Sequence, residues 1–377
     1  MAKLQLGLLF GGRSVEHEVS ILSATSIARA LDPARYDLLL IGIDREGQWF
    51  LGSSTTPSEV FKSGRRVFPA RNTEGPVLLA LDTDGERTPI RLDIVFPIVH
   101  GGGGEDGRLQ GLLESIGVPY VGTGVLGSAL QMDKEVAKRL LKAAGLPVVS
   151  WTTVHKFDLE KDGAKWAERI LHGMQPPLFV KPANSGSSVG IAKVERSAEL
   201  LPALLDAARY DTKILVERAV SGREIEVAVI GNERPEASLP GEIRPKRTFY
   251  DYRAKYLETS TELLVPAPLS EKQASRVHDL AIFAYHVLEG RGFGRVDFFF
   301  EETTDTFYVN EVNSLPGFTD LSMFPRLWQA SGLPYAKLID RLVELAFEHH
   351  REQSRLEIRP SQADTAPRAN SSPLTYH

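Results

Sequence analysis

The chain contains no cysteine among its 377 residues, which excludes disulfide bridges, thiolate zinc sites and a cysteine nucleophile. It also lacks any apolar run of roughly 18 residues, so no membrane-spanning helix is expected. The apolar stretch Leu4 to Phe10 is too short, and too quickly followed by charge, for a signal peptide. A net charge of −5 gives no reason to expect nucleic acid or an anionic membrane as a partner. These absences predict a cytoplasmic protein of ordinary globular type.

The order of strands, glycines and helices in the first third of the chain is typical of an open α/β domain. Leu4 to Phe10 and Tyr36 to Ile43 are predicted as buried strands, with a helix capped by Ser14 between them. Leu92 to Val99 is predicted as a further strand, and Asp106 then begins a second helix. We therefore expect an α/β fold, in part α+β, with two or three domains.

Two predicted strands near the C-terminal end carry the most informative pattern of the chain. The polar run Glu301 to Asp305 between them predicts a hairpin turn. If this turn is centred on Thr304, four polar side chains lie on one face in two cross-strand pairs, Asp297 opposite Glu311 and Arg295 opposite Asn313. Hard divalent cations such as Mg²⁺ prefer one or two carboxylates together with phosphate oxygens. The pattern therefore predicts a metal–phosphate site.

The alternative interpretation of this face is a solvated strand surface. We place Phe299, Phe307 and Val309 on the same face, and such apolar side chains argue against simple solvation. The metal–phosphate interpretation is therefore favoured.

A loop of small residues at Phe179 to Gly190 follows a predicted strand that bears Lys181. Its backbone N–H groups can close over phosphate oxygens, and glycine permits the close approach. A flexible hairpin turn is the alternative, and the metal site predicted downstream favours phosphate. The loop is not the P-loop of common NTPases, since no lysine followed by serine or threonine closes it. Glu217 and Glu224, farther along, are weaker candidates for contacts to ribose.

Two further candidates lie in the N-terminal region. Glu16 falls in the first turn of a predicted helix, where a carboxylate is favourable by about 0.3–1 kcal/mol whatever its function. The functional hypothesis is that Glu16 holds a substrate ammonium. His100 precedes four glycines at the C-terminal end of a predicted strand, where open α/β sheets bind ligands.

A long irregular stretch, Gly241 to Pro268, contains an aromatic cluster that includes Lys255 and Tyr256. Long loops inside a compact domain are usually functional. A nucleic-acid face is the alternative, but the cluster is short and the net charge is negative. We interpret the cluster as a lid that excludes water.

Several separated motifs, taken in order, resemble the D-alanine–D-alanine ligase family of the ATP-grasp superfamily. The resemblance runs from Phe10 to about His349. The motifs are Gly-Gly-Arg-Ser-Val-Glu-His-Glu-Val-Ser (11–20), His-Gly-Gly-Gly-Gly-Glu-Asp-Gly (100–107), Met-Asp-Lys (132–134), the Lys181 loop, Phe-Tyr-Asp-Tyr-Arg-Ala-Lys-Tyr (249–256), the Arg295 hairpin and Asn-Ser-Leu-Pro-Gly-Phe-Thr (313–319). Each motif alone is a weak signal, and together they are specific.

The resemblance implies an ATP-grasp fold and a ligase reaction. ATP would phosphorylate the carboxylate of one D-alanine, and the amine of a second would attack the acyl phosphate. The products would be D-alanyl-D-alanine, ADP and phosphate, for peptidoglycan synthesis. The implied organisation is an N-terminal α/β substrate domain (1–125), a central ATP-grasp subdomain (126–216), a C-terminal catalytic domain (217–351) and a disordered tail (352–377). By analogy with the family, the chain would form a homodimer.

The resemblance also implies a role for each matching residue. Two Mg²⁺ or Mn²⁺ ions would be held by Asp297, Glu311 and Asn313. ATP would be held by Lys134, Lys181, Ser187, Ser188, Glu217, Val220, Glu224 and Lys255. Glu16, His100, Arg295 and Ser322 would bind the two D-alanine molecules. Arg295 and the backbone at Gly317 would stabilise the tetrahedral oxyanion, while Ser187 and Tyr256 would connect Glu16 to the lid.

Three alternatives to this function stay open. An ATP-grasp ligase with another acceptor, such as D-lactate, would keep the metal hairpin, although the lid motif that contains Tyr256 favours an amine. A Rossmann-type dehydrogenase would need Gly-x-Gly-x-x-Gly after the first strand, which this chain lacks. A nucleotide-binding module without catalysis is disfavoured by the intact set Arg295, Asp297, Glu311 and Asn313.

Overall fold

A computed structural model describes residues 3–52, 56–81, 87–187, 189–244, 262–319 and 321–356. The described strands are β1 Leu4–Gly11, β2 Tyr36–Ile43, β3 Trp49–Leu51, β4 Arg65–Asn72, β5 Gly75–Leu81, β6 Arg87–Arg91, β7 Ile94–Pro97, β8 Trp151–His155, β9 Leu178–Pro182, β10 Ala192–Val194, β11 Lys213–Arg218, β12 Arg223–Ile230, β13 Glu236–Ala237, β14 Gly241–Arg244, β15 Glu262–Leu264, β16 Phe293–Glu301 and β17 Thr306–Asn313. The described helices are α1 His17–Ala30, α2 Val60–Ser63, α3 Arg108–Ile116, α4 Val125–Met132, α5 Lys134–Ala143, α6 Lys156–Gly173, α7 Leu200–Ala207, α8 Glu271–Val287, α9 Met323–Ala330 and α10 Tyr335–Ser354. None of these helices has both the length and the apolar character that crossing a membrane requires.

The strands form three sheets. The first has the order β6-β5-β4-β3-β2-β1-β7, in which β1 runs parallel to both β2 and β7. The second has the order β10-β9-β11-β8, and its pairs are antiparallel. The third has the order β15-β14-β12-β16-β17, with β13 attached to β12. Parallel pairs in one sheet and antiparallel pairs in the others agree with the predicted α/β fold that is partly α+β.

The first and third sheets share one hydrophobic core. Phe293, at the start of β16, is fully buried, and its ring centroid lies 6.4 Å from Phe96 at the end of β7. The rings of Phe318 and Phe324 lie 5.5 Å from Phe293 and complete the cluster. Because aromatic rings contribute large apolar areas, this cluster fixes the position of one sheet relative to the other.

The second sheet has a core of its own. Val154, Val180 and Val216 pack there against α6 and α7. The helix α5 is not part of that core, since Ala137 and Leu141 pack with the third sheet. The walls of any cleft between the second and third sheets therefore belong to different cores.

The predicted hairpin has the expected register at its functional end. Asp297 lies opposite Glu311 and Arg295 lies opposite Asn313. A register shift between Asp297 and Phe298 makes Asn310 an additional residue on β17, which is a β-bulge. The turn is accordingly closed by Glu301 and Thr306 rather than centred on Thr304.

The bulge also corrects a prediction about the faces of the hairpin. Phe299 is half-buried on the same face as Asp297, as predicted. Phe307 and Val309 lie on the opposite face, in the core with Phe298. The prediction for those two residues is wrong because the extra residue reverses the alternation of side chains beyond it.

Three predicted boundaries also need correction. The strand predicted at Leu92 to Val99 is limited to Ile94–Pro97. The stretch predicted as irregular from Gly241 to Pro268 contains β14 at its start and β15 near its end. Residues 245–261 lie outside the described residues. The last helix continues to Ser354, so the first residues of the predicted disordered tail are helical, and 357–377 lie outside the described residues.

We expect Phe293→Ala to lower the free energy of unfolding by about 3–5 kcal/mol, because it leaves a cavity between two sheets. Phe283→Ala on α8 is the matched control, since that ring is 46% exposed. Its effect should stay within about 1 kcal/mol. Urea unfolding of both variants measures the difference, and equal losses would contradict the shared core.

Candidate active site

A cleft of about 660 Å³ lies between the second and third sheets and extends to the loops after β1 and β7. Among the residues that line it are Glu16 and His100 from the N-terminal region, Lys181 and Glu217 from the second sheet, and Arg295 from the third. The three sheets therefore all contribute to one site. Candidates that the sequence separates by up to 300 residues are brought together, and the geometry divides them into three groups.

The first group is the hairpin corner around Asp297. Arg295 donates to both carboxylate oxygens of Asp297, with Nε 2.7 Å from Oδ1 and a terminal nitrogen 2.6 Å from Oδ2. The side-chain amide of Asn313 donates to the same Oδ2 at 2.9 Å. Glu311 faces Asp297 from the neighbouring strand. Oxygen donors from two carboxylates and one carboxamide therefore share one face.

The guanidinium of Arg295 is held from a second side by Glu226. Its Nε lies 3.0 Å from Glu226 Oε2, and Glu226 is directly opposite Asp297 on β12. Burial alone would lower the pKa of Arg295, but the Asp297 and Glu226 carboxylates outweigh burial and raise that pKa. Arg295 is therefore a permanently charged and fixed cation. Glu226 was not predicted from the sequence, because its strand partner could not be known without the sheet order.

The second group lies where the second sheet meets the hairpin corner. Lys181 Nζ is 2.7 Å from Glu217 Oε2 and 3.4 Å from the side-chain oxygen of Asn310, the bulge residue. Lys134 Nζ donates to the carbonyl oxygen of Ser185 at 2.7 Å and lies 3.6 Å from Glu311 Oε2. Two lysines therefore border a space that is walled by the small-residue loop.

Glu217 is the buried acid of this group, with 2% of its surface exposed. Burial alone would raise its pKa, but the Lys138 and Lys181 ammonium groups outweigh burial and lower the pKa to about 2. Val220 and Glu224 line the same part of the cleft. Charged groups at this end are thus compensated by neighbours before any ligand binds.

The third group surrounds Glu16, which is 6% exposed and which, rather than the predicted Ser14, is the N-cap of α1. Its Oε1 accepts a hydrogen bond from the Ser187 hydroxyl of the small-residue loop. Its Oε2 is buried and accepts no hydrogen bond from the residues that the structure describes. A Cβ atom at Gly101 or Gly186 would approach Oε2 to 2.6 or 2.7 Å, so a larger residue at either position would clash with that oxygen.

His100 is buried beside this group and uses both ring nitrogens within the fold. Nδ1 lies 3.0 Å from the carbonyl oxygen of Leu315, to which it donates, and Nε2 lies 3.1 Å from the hydroxyl of Ser23. Burial lowers the pKa of His100, with the charge of Glu16 opposing. His100 is therefore a connector between the N-terminal region and the loop after β17.

Glu105 also connects these two regions, and the sequence analysis did not single it out within its motif. Its Oε2 accepts from the Gly101 N–H at 2.6 Å, and its Oε1 accepts from the Leu315 N–H at 3.3 Å. Burial raises the pKa of Glu105 to about 8, and the charge of Glu16 adds to this shift. Burial and the charge of Glu16 thus favour the protonated form of Glu105, against the two backbone N–H donors.

The loop after β17 brings Gly317 and Ser322 to the same end of the cleft. The Ser322 hydroxyl accepts from the Thr319 N–H at 3.0 Å and lies 2.8 Å from the Thr319 hydroxyl. A Cβ at position 317 would lie 2.8 Å from Ser322 Oγ, so a larger residue there would displace the serine. Ser188, Lys255 and Tyr256 lie outside the described residues, and their predicted roles stay predictions.

Two family models match the chain. The model described as D-ala D-ala ligase N-terminus matches residues 5–123, and the one described as D-ala D-ala ligase C-terminus matches residues 140–344. A curated D-alanine–D-alanine ligase from Thermoanaerobacter sp. is 47% identical over 361 residues, which is 94% of this chain and 99% of that protein.

Solved structures give the same result for the fold. The D-alanine-D-alanine ligase from Coxiella burnetii has a TM-score of 0.83 and 39% identity, and the match covers 94% of this chain and 97% of that chain. The VanG D-Ala:D-Ser ligase from Enterococcus faecalis has a TM-score of 0.81 and 34% identity, over 92% of this chain and 100% of that chain. The predicted ATP-grasp fold is confirmed by these neighbours, and the chain belongs to the D-alanine–D-alanine ligase family.

Proposed function

We propose that this chain joins two D-alanine molecules to D-alanyl-D-alanine, with conversion of ATP to ADP and phosphate, for peptidoglycan synthesis. The observation that carries the proposal is the arrangement of the cleft. Separate groups of complementary chemistry line one cleft. They are the buried carboxylate of Glu16, one oxygen of which accepts no hydrogen bond from the described residues, the lysines Lys134 and Lys181 beside oxygen donors, and Arg295, which Asp297 and Glu226 hold in place.

The chemistry requires this separation of groups. A carboxylate is a poor electrophile, so the γ-phosphoryl group of ATP is first transferred to one D-alanine carboxylate oxygen, which releases ADP. The neutral amine of the second D-alanine then attacks the carbonyl carbon of the D-alanyl phosphate. The C–N bond forms, the C–O bond to phosphate breaks, and the amine loses a proton. Positioning and fixed charge supply most of the catalysis in such phosphoryl transfers.

We assign the nucleotide end of the cleft to ATP. In this assignment, the ligands of ATP are Lys134, Lys181, Ser187, Ser188, Glu217, Val220, Glu224 and Lys255. The positions of Lys134 and Lys181, beside the small-residue loop and the hairpin corner, support contacts to phosphate. Lys255 is assigned to the transferring phosphoryl group. Because Lys255 belongs to the lid motif, the lid would bring it to that group.

We assign Asp297, Glu311 and Asn313 to divalent cations, Mg²⁺ or Mn²⁺, with two ions in the working site. Among the described residues, no three His, Cys, Asp or Glu side chains form a metal site by themselves. Two carboxylates and one carboxamide fit hard cations that take their remaining ligands from phosphate oxygens and water. Such ions would neutralise the charge of the nucleotide phosphates.

Arg295 and the backbone at Gly317 are assigned to the oxyanion of the tetrahedral intermediate. Donors that are fixed in advance stabilise developing charge without reorganisation, and removal of one such donor typically costs about 10²–10³ in kcat. Asp297 and Glu226 hold Arg295 in this fixed position. The rigidity of the guanidinium therefore comes from groups on two neighbouring strands.

Glu16 is assigned to the ammonium of the first D-alanine, with His100 and Arg295 completing the substrate set and Ser322 holding the carboxylate of the second. Ser187, which donates to Glu16, and Tyr256 connect this site to the lid and orient the attacking amine. Glu105, the pKa of which is raised by burial and by the charge of Glu16, lies beside this substrate set.

We also propose a homodimer in the cytoplasm, with domains at 1–125, 126–216 and 217–351. The match of the N-terminal family model to residues 5–123 supports the first boundary. The separate core of the second sheet supports a central unit, although α5 packs outside it.

The acceptor is the point at which members of this fold differ, since one solved neighbour carries the name D-Ala:D-Ser ligase. The alternative for this chain is a ligase that joins D-alanine to another acceptor, such as D-lactate. Phosphate release from ATP, measured with D-alanine alone and with added D-lactate, D-serine or L-alanine, distinguishes them. We expect release with D-alanine alone and the mass of D-alanyl-D-alanine as product. Turnover that requires a second acceptor would refute the assignment.

We expect Asp297→Asn to lower kcat by at least roughly 100-fold, because it removes a cation ligand and the anchor of Arg295. Asp305→Asn is the matched control, since it makes the same change at the turn of the same hairpin, where Asp305 pairs with Arg276. Phosphate release under saturating D-alanine and ATP measures both variants. Full activity of Asp297→Asn would rule out the metal assignment.

Glu105 gives a prediction for the pH dependence of stability. Its pKa rises from 4.5 to about 8 on folding, so the folded state binds the proton more tightly than the unfolded state does. The resulting contribution to the free energy of unfolding is lost as the pH rises from 4.5 to about 8. The difference in free energy of unfolding, Glu105→Gln minus wild type, should therefore be more positive at pH 9 than at pH 5. Urea unfolding without ligands measures this difference. A constant difference between the two proteins across pH would contradict it.

A further inference from the structure

Lys138, on the inner face of α5, is one of the most deeply buried charged side chains described, with 1% of its surface exposed. Its Nζ lies 3.1 Å from Glu217 Oε1, while the other oxygen of Glu217 bonds to Lys181 at 2.7 Å. One buried carboxylate therefore carries two ammonium groups. Because burial of an ammonium costs several kcal/mol unless it is compensated, the second lysine requires an explanation.

The two lysines differ in their access to a ligand. Lys181 and Glu217 line the cleft, whereas Lys138 is not among the described residues that line it. The ring of Trp151 lies 5.9 Å from Lys138 Nζ. Lys138 is thus placed to act on a bound nucleotide only through Glu217.

We propose that Lys138 is a positioning residue that keeps Glu217 compensated when Lys181 leaves it to bind nucleotide phosphate. The inference rests on the proposed function in one respect, namely that Lys181 contacts the phosphates of ATP. It assigns to Lys138 a role in phosphate binding that it performs without touching the nucleotide.

The physical reason is the cost of an isolated buried carboxylate. If Lys181 were the sole cation at Glu217, its movement to phosphate would leave that carboxylate alone in a buried site. With Lys138 in place, Glu217 keeps one cation at 3.1 Å throughout. Both lysines lower the pKa of Glu217 to about 2 against burial. Burial lowers the pKa of Lys138 and the Glu217 carboxylate opposes that shift, so each group of the pair favours the charged form of the other.

The proposal predicts which ligands lose affinity when the Lys138 charge is removed. ADP attracts Lys181 through its phosphates, whereas adenosine has no phosphate and leaves the Lys181–Glu217 pair intact. In Lys138→Met, which keeps an unbranched side chain as far as Cε and removes the ammonium group, we expect the Kd of ADP to rise on the order of tenfold, as for other coupled buried neighbours. The Kd of adenosine should change by less than about twofold, because binding of adenosine does not separate Lys181 from Glu217.

Isothermal titration calorimetry with Mg²⁺ and ADP, and competition of adenosine against ADP, measure these constants without D-alanine and without turnover. Lys142→Met is the matched control. Lys142 is an exposed lysine on the same helix, and its Nζ lies 5.5 Å from the same Trp151 ring. Its removal should leave both constants unchanged.

A double variant separates charge from packing. Lys138→Met combined with Glu217→Gln removes the buried carboxylate together with Lys138 and leaves Lys181 as the one charge of the three. Because no uncompensated carboxylate remains, the double variant also serves if Lys138→Met alone fails to fold. We expect the ratio of the Kd of ADP to the Kd of adenosine to be the same in the double variant as in Glu217→Gln alone. A further change in that ratio would overturn the proposal.

Two other outcomes also overturn it. Equal losses of ADP and adenosine affinity in Lys138→Met would make Lys138 a packing residue. Unchanged ADP affinity in Lys138→Met would show that phosphate binding by Lys181 does not depend on Lys138. Failure of wild type to form the dipeptide would refute the proposed function separately, because the nucleotide measurements do not require ligation.

Discussion

The shared aromatic core between the first and third sheets is the constraint on which the site depends. Phe293 begins β16, the strand that carries Arg295 and Asp297, and its ring packs against Phe96 at the end of β7. The next residues after β7 lead to His100 and the glycines that face Glu16. The packing of this ring therefore holds the loop beside Glu16 and the strand that carries Arg295 in one arrangement. The hydrogen bonds of His100 and Glu105 to the backbone of Leu315 then hold the neighbouring loops against this core.

The charges of the cleft are arranged so that each buried ion keeps a partner. Arg295 lies between Asp297 and Glu226, and Glu217 lies between Lys138 and Lys181. Buried charges without such partners are costly, so these networks hold side chains in one geometry more than they add stability. Preorganised charge is also what a reaction with developing negative charge requires. The same electrostatic rule therefore accounts for the rigidity of the site and for its chemistry.

The sequence predicts the parts of the site that follow from local periodicity. Alternation along two strands and a polar turn were sufficient to place Asp297 opposite Glu311, because pairing near a hairpin is local. The bulge at Asn310 was not predictable, since no feature of the residue type announces one extra residue, and Phe307 was therefore placed on the wrong face. Glu226 and Lys138 were missed for a different reason. Their partners are 69 to 79 residues away in the chain, and only the sheet order and the helix packing bring them together.

The second sheet completes the cleft but does not share the core of the third. Its side of the cleft is joined to the hairpin corner by polar contacts, which include Lys134 to Ser185 and Glu311, and Lys181 to Asn310. Polar contacts near a wet cleft each contribute little, so the junction is weaker than either core. A nucleotide that contacts both walls adds its own binding free energy to this junction, because it binds only the arrangement in which both are present. A nucleotide bound in this way would therefore make the junction more rigid, at the stage when the carboxylate and the phosphoryl group must be aligned.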